Sequence, residues 1–235
     1  MKRIFISCAL FLCTISLSAQ TKMSAKEAAV KIADRILDST TYEFKNTKTG
    51  EVYKSVKKLP LSMDVKVACK YNNIALMELA DKVGDQKYDK YVLKNMNFVF
   101  NEGNLDFFRR QYDQAFKEGG WNAIRKLSWH MIFRAKRLDD NGPMGASLID
   151  LQMRHPNEAF LNYVNETADH LNYAEPRLVD GTIARLWPHV NTVWADDAFM
   201  AISFLARMAK MTGDMSYIND AANQVLNYTR YLWCP

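Results

Sequence analysis

Residues 199–232 read FMAISFLARMAKMTGDMSYINDAANQVLNYTRYL, and this stretch decides the class of fold. Apolar residues recur every three or four positions on both sides of a Thr212-Gly213-Asp214 break, which is the spacing of one face of an α-helix. Glycine suits the left-handed position that ends a helix, and aspartate can cap the helix that follows. The stretch therefore predicts two helices joined by a tight turn. The predicted core positions are Phe199, Ile202, Ala206 and Ala209 in the first helix and Tyr217, Ile218, Ala221, Val225, Tyr228 and Leu232 in the second.

The same pattern occurs twice more upstream. Residues 74–99 carry two apolar stripes separated by a Gly84-Asp85 break. A weaker copy has its break at His155-Pro156-Asn157, between apolar runs that end near Met153 and begin again at Phe160. Helix–turn–helix units in series are typical of solenoids and of closed α/α rings. We therefore expect an all-α fold built from stacked helical hairpins.

Composition supports a mainly helical globular domain. The 235 residues include only nine glycines and six prolines, fewer than a chain of many short strands and tight turns requires. Residues 42–60 are polar and predict an exposed leader or a short hairpin, and residues 101–104 and 118–120 predict loops. The net charge of +5 is spread along the chain without a basic block, so we expect no nucleic-acid partner.

The first 19 residues have the pattern of a secretory signal peptide. Met1-Lys2-Arg3 is a basic start, residues 4–17 are almost wholly apolar, and small residues follow around Ala19. The apolar run is too short for a membrane-spanning helix, and no later stretch is long enough. We therefore expect a signal peptide at residues 1–19 and one domain at residues 20–235. The protein would be exported to the periplasm or outside the cell, with no membrane association after cleavage.

Cysteines and histidines indicate neither a disulfide framework nor a metal site. Cys69 and Cys234 remain after the leader, and two cysteines do not make a framework. The four histidines are far apart, without the His-x-x-x-His spacing of a metal site. We expect no metal and no other cofactor.

Two Asp-Asp pairs each open a segment with a helical apolar stripe. They are Asp139-Asp140 in RLDDNGPMG (137–145) and Asp196-Asp197 in WADDAFM (194–200). One interpretation is N-capping, because carboxylates near a helix start accept backbone N–H bonds and favour the helix dipole. The other is a pair of carboxylates at one mouth of a ring, where one is held protonated as a general acid and the other stays ionised. Nearby aromatic side chains would offer apolar faces and polar edges to a sugar. They are Trp187, His189 and Trp194.

Three segments together resemble glycoside hydrolase family 105, the unsaturated rhamnogalacturonyl hydrolases. They are RLDDNGPMGASL (137–148), DGTIARLWPHVNTVWADDAFMAISFL (180–205) and TGDMSYINDAANQVLNYTRYL (212–232), within a similarity that covers most of residues 54–235. The resemblance implies an (α/α)6 barrel. It also implies hydrolysis of a 4,5-unsaturated uronic acid from the non-reducing end of pectin-type oligosaccharides made by lyases. The partner it implies is therefore an unsaturated oligosaccharide.

The resemblance also implies roles for five residues. The family's two active-site acids fall on Asp139 and Asp196. We expect Asp196 to donate a proton to C4 of the unsaturated ring and then, as a carboxylate, to activate the water that adds at C5. Asp139 would assist by hydrogen bonding the sugar and raising the pKa of its neighbour. Substrate contacts are expected from Trp194, His189 and Arg185, whose guanidinium would meet the uronate carboxylate through two parallel hydrogen bonds.

Two features depart from the family pattern. The family's aromatic Asp-Trp-x-Tyr stretch is replaced by KYNNIA (70–75), which resembles a short deletion after Asn72. Three hairpins are about half of the six in a complete ring, so we expect a C-terminally truncated, partial barrel with apolar faces open to self-association. Two alternatives remain open. One is an inactive fragment that binds carbohydrate or protein as an α/α module. The other is a helical-repeat scaffold for protein binding, in which Asp139 and Asp196 would not cluster.

Overall fold

A computed structural model describes residues 23–46, 49–65, 72–134 and 138–234. The predicted signal peptide, Cys69 and the part of KYNNIA before Asn72 lie outside the described residues. Within these ranges the chain forms eight α-helices and one two-stranded sheet. The helices are α1 (Ala25–Ser39), α2 (Asn73–Val83), α3 (Lys87–Val99), α4 (Glu102–Ile124), α5 (Leu138–Arg154), α6 (Glu158–Tyr173), α7 (Ala195–Thr212) and α8 (Met215–Leu232).

Six of these helices form three hairpins in chain order. Helix α2 packs against α3, α5 against α6, and α7 against α8. Helix α5 also packs against both α2 and α7, so the first helices of the three hairpins stand in one row. The predicted all-α fold of stacked hairpins is confirmed.

The tight turns of the first and third hairpins have the conformation that their sequences predict. Gly84 ends α2 with a φ of 72°, and Gly213 ends α7 with a φ of 76°. The side chains of Asp85 and Asp214 each accept a hydrogen bond from the amide two residues on, at 3.0 and 2.8 Å. Glycine tolerates the left-handed backbone, and aspartate satisfies an amide that the new helix leaves free.

The core confirms the predicted stripe of α3 but corrects those of α7 and α8; in α8 the predicted core positions Val225 and Leu232 are exposed. The apolar positions predicted between Tyr88 and Val99 are buried. The predicted first position of the α7 stripe, Phe199, is instead 64% exposed. The buried apolar side chains of α7 are Ala201, Phe204, Leu205 and Met208. Helices α5 and α8 both pack against α7, so its buried face is the one that these two helices cover. That face differs from the one that the apolar residues at three- and four-residue spacing predict.

Outside the three helical hairpins, the structure confirms one predicted feature and contradicts another. Residues 42–60 contain the predicted short hairpin, in which β1 (Phe44–Lys45) pairs antiparallel with β2 (Val52–Tyr53). The loop predicted at residues 101–104 is wrong, because α4 begins at Glu102 after an extended Asn101. Asparagine before a helix and an acid in its first turn are strong start signals, and they outweigh the glycine that follows. At residues 118–120 the helix kinks where Gly120 leaves the helical region, and it then continues to Ile124.

Helices α5 and α7 approach each other closely at two glycines. A Cβ on Gly142 would lie 2.8 Å from the carbonyl oxygen of Met200, and a Cβ on Gly145 would lie 2.7 Å from the ring of Phe204. Both distances are shorter than real Cβ contacts, so glycine permits a separation that alanine would not. This contact sets the first turns of α5 and α7 beside each other.

The described helices also bear on membrane association and thiol pairing. None of them combines the length and apolarity needed to cross a bilayer. Cys234 is an exposed free thiol.

Replacing Gly145 by alanine tests the close approach of α5 and α7. In Gly145→Ala a methyl group meets the buried Phe204 ring, so we expect the free energy of unfolding to fall by about 1–3 kcal/mol. Urea unfolding followed by helical circular dichroism measures it. The matched control is Gly103→Ala in α4, whose Cβ would approach the far end of the flexible Lys57 side chain most closely and would lie at an ordinary contact distance from Asn101. This control should be neutral or stabilising by up to about 1 kcal/mol. An equal loss of unfolding free energy in the two variants would contradict the close contact between Gly145 and Phe204.

Candidate active site

One end of the helical row brings three carboxylates together. Asp139 lies in the first turn of α5, and Asp196 and Asp197 lie in the first turn of α7. One oxygen from each of the three lies within 4.8 Å of the others. Two acids that are far apart in the sequence therefore share one site.

The guanidinium of Arg185 lies between these acids. Its Nε and Nη2 donate to the two oxygens of Asp197 at 2.6 and 2.8 Å, the two-pronged geometry that guanidinium and carboxylate favour. Nη2 also donates to Asp139 at 2.9 Å and to Asp196 at 3.2 Å. The hydrogen bonds to Asp197 raise the pKa of Arg185, so the guanidinium keeps its charge. One positive charge thus serves three carboxylates, and the group carries excess negative charge when all three are ionised.

The three acids differ in their access to solvent. The side chain of Asp197 is 3% exposed, whereas those of Asp139 and Asp196 are 42% and 52% exposed. Burial raises the pKa of Asp197, and the hydrogen bonds and charge of Arg185 oppose that rise. Asp197 is therefore the internal anchor of Arg185, and Asp139 and Asp196 are the acids that a ligand can reach.

The acids of α7 do not act as its N-cap. The N-cap residue is Trp194, and its side chain makes no capping hydrogen bond. Asp196 Oδ1 instead accepts the amide hydrogen of Asp197 at 3.1 Å, and the same amide donates to the carbonyl of Trp194 at 3.1 Å. The other oxygen of Asp196, Oδ2, faces Arg185.

The acid cluster has the composition of a possible cation site. Among the described residues it is the one group of three acidic, histidine or cysteine side chains close enough to share a metal ion. Arg185 donates to all three carboxylates, so the protein itself supplies a cation at this place.

A cleft of about 180 Å³ opens beside the acids. Its apolar wall is formed by Leu138, Pro176, Ala184, Leu186 and Trp187. Its polar lining is formed by Asp139, Glu175, Arg185 and Asp197. An apolar wall with a few convergent polar groups is the usual form of a site for a small ligand.

Glu175 and His170 form a buried pair on the wall of this cleft. Glu175 follows α6, and its Oε2 lies 2.5 Å from Nε2 of His170 in the last turn of that helix. The two side chains are 8% and 11% exposed. Burial raises the pKa of Glu175 to about 7; the Asp197 carboxylate adds to the rise and Arg177 opposes it. The cleft therefore contains a carboxyl group whose pKa burial holds well above its ordinary range.

The loop at residues 174–194 is fixed to α8. Arg177 donates through two nitrogens to the two oxygens of Asp220, at 3.0 and 2.8 Å. The side chain of Gln224 accepts from the amide of Ile183 at 2.9 Å. Because this loop carries the guanidinium of the acid cluster, α8 holds that group in place through the loop.

A comparison with protein families decides where the chain belongs. The model of Glycosyl Hydrolase Family 88 matches residues 32–234, which is most of the sequence. The chain belongs to this family. No protein of curated function matches it significantly by sequence.

Two solved structures resemble this family 88 chain in fold. One, from Klebsiella pneumoniae, is described as a possible member of family GH105; it is 12% identical with a TM-score of 0.50, over 98% of this chain and 54% of its own. Another, from Salmonella enterica and described in the same words, is 13% identical with a TM-score of 0.49, over 89% of this chain and 49% of its own. The chain thus spans about half the length of these structures. The resemblance stated from the sequence is confirmed at the level of the family.

The structure of the family 88 chain also shows where the predicted substrate contacts lie. Trp194 stacks on Arg185, with the guanidinium carbon 4.2 Å from the ring centroid, and its Nε1 donates to Thr192. His189 is exposed and does not line the cleft. The two parallel hydrogen bonds predicted from Arg185 to a uronate stay a prediction; here Nε and Nη2 donate to Asp197 instead. Arg185 holds the acids together.

Sequence reasoning missed the Glu175–His170 pair and the distinct role of Asp197. A histidine and a glutamate that pair across a helix end match none of the metal-site spacings. An acid five residues after a histidine near a helix end, His170 and Glu175, is the signal available in the sequence. Nothing in the sequence separates Asp197 from Asp196, since only the packing of α7 buries one and exposes the other.

Removing the guanidinium tests the charge balance of the acid cluster. In Arg185→Met the pKa of the buried Asp197 rises further, so the folded state is penalised more as pH rises. We expect the free energy of unfolding to fall by about 2–3 kcal/mol at pH 8 and by clearly less at pH 5, as measured by urea unfolding.

The control variant for this test is Arg207→Met. Arg207 of α7 donates to Asp150 of α5 at 2.8 Å, so it joins the same two helices but pairs with one partly exposed carboxylate. We expect a cost of about 1 kcal/mol or less with a weaker dependence on pH. A loss of unfolding free energy as large as that in Arg185→Met would contradict the prediction that the acid cluster depends more strongly on its cation than a single ion pair does.

Proposed function

We propose that the protein is a glycoside hydrolase that removes a 4,5-unsaturated uronic acid from the non-reducing end of pectin-type oligosaccharides made by lyases. The observation that carries the proposal is the pair of accessible acids, Asp139 and Asp196, which both accept hydrogen bonds from Arg185 next to a cleft that Asp139 and Arg185 line. Membership of family 88 and the segments that resemble family 105 support it. We also propose that the reaction takes place in the periplasm or outside the cell, because the sequence predicts a signal peptide.

Asp196 is the proposed proton donor. It is the most exposed acid of the cluster, and its 3.2 Å hydrogen bond from Arg185 is the longest of the four that the guanidinium makes. The carboxylate oxygen with the weakest hydrogen bond is the one best able to donate a proton to a ligand and then to accept one. Asp139, on the facing helix, is placed to hydrogen bond the same sugar.

The proposed reaction begins at the double bond of the sugar ring. The carboxylic acid of Asp196 gives its proton to C4, and positive charge develops at C5 and the ring oxygen. The carboxylate that remains takes a proton from water, and the water oxygen bonds to C5. The hemiketal then opens, and the hemiacetal left at C1 expels the attached sugar as an alcohol. The excess negative charge of the acid cluster favours the positive charge of the first step.

Aromatic side chains beside the acids are the proposed sugar contacts. Trp187 lines the cleft directly. One face of Trp194 is covered by Arg185, so this ring would contact the sugar with the face or edge that remains. His189 would contact the parts of an oligosaccharide that extend beyond the cleft, since its side chain is exposed there.

A hydrolysis assay on unsaturated digalacturonate tests the proposal. Turnover removes the double bond, so its ultraviolet absorbance should decrease with the full chain. We expect Asp196→Asn to lower the rate by about 10²–10⁴-fold, because general acid–base catalysis contributes that much. Asp169→Asn is the matched control, since Asp169 lies exposed on α6 and does not line the cleft, and its rate should be unchanged.

Each other outcome has a distinct meaning. An unchanged rate in Asp196→Asn would reject the role assigned to this acid. Binding of the disaccharide without turnover would favour a non-catalytic carbohydrate-binding module. If the chain neither binds the disaccharide nor hydrolyses it, the substrate class is rejected.

A further inference from the structure

Glu175 has no role in the proton transfer described above, yet it lies on the wall of the same cleft. It lines the cleft together with Asp139, Arg185 and Asp197, and its side chain is almost fully buried. Its Oε2 lies 2.5 Å from Nε2 of His170. A carboxyl group in this position faces whatever ligand the cleft admits.

Charged and titratable groups reach Glu175 from every element around it. They are Asp139 from α5, His170 from α6, Arg177 and Arg185 from the loop, Asp197 from α7 and Tyr228 from α8. Burial, with the neighbouring acids, raises the pKa of Tyr228, so its hydroxyl stays neutral. Arg177 is paired with Asp220 and Arg185 with Asp197, so neither cation is reserved for Glu175.

The Glu175–His170 pair therefore changes the charge of the cleft by one unit when it loses a proton. While the pair shares one proton it is neutral overall, and after the loss it is negative. Because burial and the adjacent acids raise the pKa of Glu175 to about 7, this change falls near neutral pH. The new charge appears beside carboxylates that already exceed the positive charge of Arg185.

We infer that Glu175, held by His170 on the wall of the cleft, is a specificity-determining residue that admits a carboxylate-bearing sugar while the pair holds its proton and repels it once the proton is lost. The inference rests on the proposed function, because it takes a uronate as the ligand. A sugar whose carboxyl group is esterified has no charge to repel, so its affinity should not follow the state of the pair.

Binding of a charged ligand and its neutral counterpart tests the inference. The ligands are unsaturated digalacturonate and the same disaccharide methyl-esterified on the unsaturated residue. Dissociation constants are measured by calorimetry at pH 6 and pH 8.5 on the full chain carrying Asp196→Asn, so that the ligand is not consumed. We expect the dissociation constant of the acid to rise about fivefold or more between the two pH values, and that of the ester to stay nearly constant.

Two variants added to this parent separate the charge from the contact. Glu175→Gln keeps the shape and cannot ionise, so the dissociation constant of the acid should change less than about twofold with pH. His170→Gln keeps a polar partner and leaves Glu175 able to ionise, so the dependence on pH should remain. If Glu175→Gln does not fold, the inference is tested by comparing the pH dependence of the dissociation constants of the acid and the ester in the parent and in His170→Gln.

The possible failures are distinguishable. Equal dependence on pH in the parent and in Glu175→Gln, or for the acid and the ester, would overturn the inference and leave the substrate class intact. If neither ligand binds the parent at either pH, the substrate class itself is wrong and the inference is wrong with it.

Discussion

The close approach of α5 and α7 at Gly142 and Gly145 is the constraint on which the site depends. A methyl group at either position would meet the backbone of Met200 or the ring of Phe204, so the helices can only be this close because these residues lack a Cβ. The contact aligns two helix starts, and each start carries an aspartate pair. Without it the acids would belong to two separate helices and would have no chemistry in common.

Bringing these acids together creates a charge problem that the loop before α7 resolves. Arg185 donates to all three carboxylates, and the loop that carries it is fixed to α8 through Arg177 and Gln224. The positive ends of two helix dipoles assist the guanidinium. The remaining imbalance is shared unequally, because Asp197 is sealed inside while Asp139 and Asp196 meet solvent. The hairpin α7–α8 thus supplies two of the three acids and also the support of their counter-charge.

The sequence predicts the parts of this structure that depend on neighbours in the chain. Gly84 and Gly213 mark the hairpin turns because a left-handed backbone is a local requirement. The buried face of α7 was predicted incorrectly, since two helices far apart in the sequence decide which side of it is covered. The meeting of the two acids follows from the family resemblance, whereas the partners of Arg185 and the pairing of Glu175 with His170 arise only when separate elements pack. The unequal burial of adjacent residues, as at Asp196 and Asp197, has no recognisable pattern in the amino-acid sequence, so chemistry that depends on it cannot be predicted from the sequence.

The hairpin architecture also orders the events by which the chain acquires its site. Contacts within each hairpin join helices that are adjacent in sequence, whereas α5 meets α7 only across α6 and a long loop. Contacts of short sequence separation form first, because closing a long loop costs more entropy. Each hairpin is therefore expected to assemble independently, and the docking of α5 onto α7 to come afterwards. A newly synthesised chain would carry its aspartates apart, and would gain any reactivity only at the last step of folding.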